Sequence, residues 1–373
     1  MTNSDASSTS AEVELHPSQK RRRKHDSQFP LPAAAMAKDY TSNQECYIAD
    51  LEAIKTKFHL VLKPAVANSQ EATQSISSGG FIEFFEFCKA LSPDDPGMAL
   101  VDVGLHLTGP YDLFLGKTIP SPALHARYFY DLPEVVTILR GNSQDFLTFP
   151  ADFHFAFYRD DPHEEPLAVV SNAPSQGYTF KYCGNDIFTS ILKYIKDCKG
   201  TKKLSSRMKA RMVAIEKELL TFIEIKGILK LSSGLPPLWN QRKKKLMAMD
   251  LSGLGIYVPY NVETGSGYRP LPCTDKELLS LATKAKQDSK EKKIKQQFNE
   301  ILTWVTIATD ECDFGTALHL GRNLFCCDSP KEDKTRFSKP TKVHLGNAYS
   351  LLKRESFKYI LFMHLEAMRQ PNL

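Results

Sequence analysis

Three carboxylates fall within four positions in Thr309-Asp310-Glu311-Cys312-Asp313-Phe314-Gly315, between two apolar stretches of helical spacing. A carboxylate placed this way can serve as a general base, and clustered acids raise one another's pKa, moving at least one toward the range where proton transfer is efficient. The preceding stretch, Ile294, Phe298, Ile301, Leu302 and Val305, puts the acids at the negative end of a helix dipole, where stability alone does not ask for them. Spacing also fits a plainer reading. Asp310 would be the N-cap of the next helix (Ala317, Leu318, Leu320, Leu324, Phe325) and Asp313 its N3 acid, in a variant capping box. That reading leaves Glu311 and Cys312 without a role.

A second candidate is Gly267-Tyr268-Arg269-Pro270-Leu271-Pro272, where Tyr268 and Arg269 stand on a proline-stiffened loop. Both residue types are enriched among binding hot spots, although a core Tyr with a locally ion-paired Arg fits the sequence equally well. Other signals fail. Gly116-Lys117-Thr118 ends like a phosphate-binding loop, but Tyr111 stands where its first glycine belongs, and Gly265-Ser266-Gly267 lacks a third glycine and a βαβ setting. The loop Asp160-Asp161-Pro162-His163-Glu164-Glu165 has metal-ligand residue types but reads as an exposed hairpin. The cysteines (46, 88, 183, 198, 273, 312, 326, 327) show no Cys-x-x-Cys and no zinc spacing with His, so reduced core thiols are expected, with no metal and no cofactor of the chain's own.

These candidates need a scaffold, and 373 residues with 42% hydrophobic content can build one. No hydrophobic h-region follows Met1 and no long apolar run occurs, so an intracellular protein without a membrane span is expected. Residues 1–43, rich in Ser, Thr, Ala and Pro, should form a disordered tail. Lys20, Arg21, Arg22, Arg23 and Lys24 within it form a cation run of the nuclear-import type. Residues 44–226 are expected to be an α+β domain. Helices are expected from Gln44, over Phe81 to Phe87, Asn185 to Cys198 and Arg207 to Ile225, and strands at Val103 to Leu107, Arg127 to Tyr130, Val135 to Leu139, Phe153 to Tyr158 and Leu167 to Val170. The pattern implies an antiparallel sheet flanked by helices. Residues 227–250 read as an irregular basic linker, and 251–373 as a mainly helical domain with a short strand at Ile256 to Pro259, a polar loop at Ser329 to Val343 and one closing helix. Residues 199–245 carry 13 Lys plus Arg against 3 Glu, a basic band that could steer the chain toward DNA or other polyanions.

Six short runs in order carry a resemblance. Gly109-Pro110-Tyr111-Asp112, Arg127-Tyr128-Phe129-Tyr130-Asp131-x-Pro133-Glu134, Phe157-Tyr158-Arg159-Asp160-x-Pro162, Gly267-Tyr268-Arg269-x-Leu271-Pro272, Asp310-Glu311-Cys312-Asp313-Phe314-Gly315 and Ala348-Tyr349-x-Leu351-Leu352-Lys353-Arg354 look like the signatures of the histone PARylation factor family, collinear over roughly 44 to 368. The resemblance implies a nuclear partner of DNA-damage-activated poly(ADP-ribose) polymerases that completes their active site and redirects them to serine, histones being substrates. Glu311 then matches the carboxylate inserted beside the NAD that the polymerase holds, Asp310 a neighbouring interface acid, and Arg269 with Tyr268 the docking and site-orienting pair. Ile307 stands where the family usually has an aromatic, three residues before Asp310. The chemistry is coherent, because a serine hydroxyl is a poor nucleophile without a positioned base. A stand-alone hydrolase using Asp310 and Glu311 is disfavoured, since adjacent side chains diverge. A chromatin or nucleic-acid adaptor acting through the basic band is the remaining alternative.

Overall fold

The structure, a computed structural model, describes residues 44–64, 77–141, 149–201, 204–228, 237–287, 291–331 and 335–369. The tail with Lys20 to Lys24 lies outside the described residues. Five strands, β1 (Leu105–Leu107), β2 (Val135–Gly141), β3 (His154–Tyr158), β4 (Ala168–Asn172) and β5 (Lys181–Gly184), form one antiparallel sheet in sequence order. Its inner strands read as continuous apolar runs because both faces are covered. Phe155 and Phe157 of β3 point to one hydrophobic cluster, and Ala156 and Tyr158 to another. The register slips between Thr137 and Leu139 of β2, a bulge that turns Ile138 and Leu139 to the same cluster.

The first cluster is closed by α1 (Gln44–Phe58), α2 (Phe81–Leu91), α4 (Ile187–Gly200) and α5 (Ser206–Ile225), with the short α3 (Tyr111–Phe114) bearing Tyr111, stacked on Phe81. The opposite face of the sheet meets Trp239 of α6 (Pro237–Lys244) and the helices α7 (Asp275–Gln287), α8 (Lys292–Asp310), α9 (Phe314–Cys327), α10 (Ser338–Leu351) and α11 (Glu355–Met368). Every residue of α9 from Gly315 to Cys327 is buried, and its polar members Thr316, His319, Arg322 and Asn323 are each hydrogen-bonded, as buried polar groups must be. Gly321 lets α10 come close: a Cβ there would stand 2.8 Å from the Leu345 backbone.

The α+β architecture expected from sequence is present, and several elements differ. Arg127 to Tyr130 is not a strand. Its Arg127 guanidinium donates to the carbonyls of Asp131, Leu132 and Val135, which holds the segment as a turn. The stretch read as irregular contains α6, whose Arg242 is buried against Asp160 and the Tyr158 and Trp239 rings. The Asp160 to Glu165 loop joins β3 to β4 and is exposed at His163 and Glu164, but Asp160 at its base is buried. Ile256 makes an isolated bridge to Ala248 rather than a strand. The polar loop ends at Phe337, where α10 begins, and the closing helix is two helices, broken where Lys353 turns left-handed at φ 61°.

Candidate functional site

The site is built where α8 ends and α9 begins. Asp310 is the last residue of α8 and Glu311 its C-cap. Cys312 N–H donates to Thr309 O at 3.1 Å and Asp313 N–H to Ala308 O at 2.8 Å, the two bonds of a Schellman turn. Such a turn needs a left-handed residue just past the cap, and Cys312 takes it at φ 69° without being glycine. Asp310 is therefore not the N-cap of the following helix and Asp313 is not its N3 acid. Asp313 occupies the N-cap position of α9, yet its carboxylate makes no capping bond.

That carboxylate reaches the 267–272 loop instead. Asp313 Oδ1 accepts from Gly267 N–H at 2.9 Å, and Oδ2 lies 3.1 Å from Arg269 Nε. Two further bonds fasten the same loop to the first turn of α9. Gly315 N–H donates to Gly267 O at 2.8 Å, and the Thr316 hydroxyl accepts from Arg269 N–H at 2.8 Å while donating to Arg269 O at 2.7 Å. Both glycines are required by this approach. Gly267 has φ 122°, and a Cβ on Gly315 would stand 2.8 Å from Gly267 O.

Arg269 is held between two acids, with Nη2 on Glu311 Oε2 and Nε on Asp313, and its guanidinium lies 5.8 Å from the centre of the Trp304 ring. The hydrogen bond with Glu311 pushes the Arg269 pKa above its ordinary value. The carboxylates thus do not simply crowd one another, as their clustering in the sequence suggested; a cation stands between Glu311 and Asp313. They also differ in exposure, the Glu311 side chain being 54% exposed and that of Asp313 5%. Asp310 is exposed beside them. Ile307 and Trp304 continue this face along α8, 48% and 39% exposed.

Tyr268 turns inward. Its hydroxyl lies 3.1 Å from His319 Nδ1, and His319 Nε2 lies 3.0 Å from Asp275 Oδ1. Burial, with Asp275 nearby, pushes the Tyr268 pKa up to about 12. Glu311, Asp310 and Arg269 come together on the surface, whereas Tyr268 supports them from beneath. Among the described residues no group of His, Cys, Asp or Glu is arranged to hold a metal ion, and no helix is long and apolar enough to cross a membrane.

The family profile described as Histone PARylation factor 1 matches residues 69–368. The chain belongs to the histone PARylation factor family. Histone PARylation factor 1 of Danio rerio is 34% identical over 302 residues, covering 79% of this chain and 82% of the relative. Its counterpart of Mus musculus is 32% identical over 304 residues, with 79% and 84% covered. A putative histone PARylation factor 1-like protein of Homo sapiens is 30% identical over 304 residues. Within this histone PARylation factor family member, sequence reasoning missed Trp304, the His319 and Asp275 support under Tyr268, and the grip of Asp313 on Arg269. The available signal was Gly267, two residues before Arg269, since a glycine in a loop marks close backbone approach.

Proposed function

We propose that the protein docks on a DNA-damage-activated poly(ADP-ribose) polymerase in the nucleus and supplies Glu311 as the general base for ADP-ribosylation of serine in histones and other proteins. The observation that carries this reading is the placement of Glu311: a carboxylate that is 54% exposed, on a backbone fixed by a Schellman turn and paired with an arginine. A base on a fixed backbone, paired on one side and open to solvent on the other, suits a reaction whose other components lie on a partner. Family membership supports the same reading.

In this mechanism the polymerase binds NAD and Glu311 faces the incoming serine. Arg269 engages Oε2 of Glu311, which leaves Oε1 as the oxygen that accepts the serine proton. The proton passes to Glu311 as the serine Oγ bonds to C1′ of the ribose and the bond from C1′ to nicotinamide breaks. The negative carboxylate also favours the positive charge that develops on the ribose ring. Arg269 positions the base, and Asp310, Ile307 and Trp304 form the surrounding docking surface. The N-terminal cations Lys20 to Lys24 serve nuclear entry, and NAD belongs to the partner.

The test is a mixture of the purified protein, activated polymerase, NAD and a serine-containing histone tail, with the modified residue mapped by mass spectrometry. Serine modification should require the protein and disappear with Glu311→Gln while docking persists. Normal serine modification by Glu311→Gln would overturn the reading.

A further inference from the structure

At the end of α10 remote from Glu311, a concavity of about 460 Å3 opens between the start of α10 and the end of α11. Arg336, Lys339 and Lys342 line it, all exposed, and among the described residues none of them is ion-paired with a carboxylate. Glu366 is the one acid among the described lining residues. We infer that this groove binds the diphosphate of an ADP-ribose unit.

The groove is built rather than incidental. Its floor is fixed where the end of α11 meets the start of α10: the hydroxyls of Thr335 and Ser338 lie 2.6 and 2.9 Å from Arg369 O as donors. The Arg369 side chain runs inward from there, stacked over the Phe129 and Phe325 rings at 4.0 and 3.7 Å. The walls are equally constrained. Arg336 Nη1 donates to Ala285 O at 2.9 Å, which orients the rest of its fork, and the Lys342 ammonium lies 4.7 Å from the centre of the Phe362 ring.

The chemistry selects the ligand. Lys339 and Lys342, three apart in α10, stand on one helix face, and Arg336 adds a planar fork that matches phosphate oxygens. Two ammoniums and a guanidinium around one concavity address two linked phosphates better than one. The first helical bond of α10 is made by Thr341 N–H to Phe337 O, so the preceding amides of Ser338 and Lys339 face the N-terminal side, where the helix dipole also favours an anion. The volume lies within the range of small-ligand sites, about 300–1,000 Å3.

The choice of ADP-ribose rests on the function proposed above, which makes it the diphosphate that accumulates beside this protein. Position agrees with that choice. Leu351, at the other end of α10, lines the groove that also holds Cys312. A helix of this length spans roughly 20 Å, so the basic groove can hold a unit already attached while Glu311 addresses the next serine.

The experiment is calorimetric titration of the full chain, without polymerase, using ADP-ribose, inorganic pyrophosphate, adenosine and a short DNA duplex. ADP-ribose and pyrophosphate should bind saturably, and adenosine should not. Lys339→Gln/Lys342→Gln should weaken ADP-ribose by at least about tenfold, the scale of a lost charge-assisted contact, and Glu311→Gln should leave it unchanged. Absence of saturable ADP-ribose binding, an undiminished affinity in the double variant, or loss confined to the DNA duplex would each overturn the inference. ADP-ribose binding that follows this pattern beside a failed serine assay would uphold the groove and sink the catalytic reading alone.

Discussion

Arg322 and Arg269 each stand between two carboxylates, one in the core and one at the surface, and solvent decides what each arrangement does. Arg322 is fully buried. Its Nε lies 3.1 Å from Asp250 Oδ2, its Nη2 donates to Ser252 Oγ at 3.0 Å, and Glu134, 3.9 Å away, accepts from the Tyr349 hydroxyl. Asp250 accepts from Ser252 Oγ and Gly255 N–H as well. The network joins Arg322 of α9 and Tyr349 of α10 to Glu134, just before β2, and to the loop at 250–255. Arg269 has the same partner types, but Glu311 remains open to water and to whatever docks. An ion network sealed in the core specifies structure; one left half open can exchange partners.

The comparison is broken most directly at its buried half. Arg322→Ala should cost about 3–5 kcal/mol in denaturant unfolding, because Asp250 is left buried without its cation. Acid should attack the same point. Burial raises the Asp250 pKa, but Arg322, Ser252 and the Gly255 amide outweigh it and hold the group below its ordinary value. A depressed folded pKa gives stability that is present above the unfolded value, about 3.9, and lost as pH falls through the folded one. Unfolding titrations should therefore show this contribution undiminished down to about pH 4 and eroding below it in the parent, but not in Arg322→Ala.

At the surface half the effects should move from stability to function. Glu311→Gln should lower serine modification by about 10² or more while leaving stability within about 0.5 kcal/mol, read by initial rates and thermal melts. Arg269→Ala should weaken docking to the polymerase by about tenfold or more in a calorimetric titration and, because Asp313 loses its cation but keeps the Gly267 N–H, cost about 1 kcal/mol in melting, well short of Arg322→Ala. If it destabilises the fold as much as Arg322→Ala, the two networks are alike and the contrast fails. The smallest effect is expected from Asp313→Asn, which keeps an acceptor for Gly267 N–H but loses the charge facing Arg269. It should cost about 1 kcal/mol of stability and leave serine modification measurable.

The contrast also shows what was legible in the sequence. The inner strands β2 to β4 and the long helices announced themselves through β-branched runs and helical periodicity. β5 did not, because Lys181-Tyr182-Cys183-Gly184 is a short edge strand with little apolar content. Helix α6 hid behind Pro236 and Pro237, although a proline at the first turn is compatible with a helix. The break at Lys353 and the turn at Cys312 escaped for one shared reason: both positions take the left-handed conformation that a reader expects of glycine. At the site, Asp310 and Glu311 stood out as clustered acids and Arg269 as an arginine beside a tyrosine on a proline-stiffened loop, and the collinear runs implied their roles. Their pairing did not show, since no spacing rule links residue 269 to residues 311 and 313; only the folded loop does.

The seam that fastens residues 267–269 to the start of α9 also bears on the entropy of association. Backbone ordering costs about 1–2 kcal/mol per residue, and here that cost is met when the chain folds. Gly267, Arg269, Asp313, Gly315 and Thr316 are bonded to one another across the seam, so the loop and the turn behave as one piece. Side-chain torsions of Arg269 and Glu311 are left as the soft coordinates at this point. A partner meeting such a surface has rotamers to settle rather than a chain segment to fold, and more of its contact energy remains as affinity.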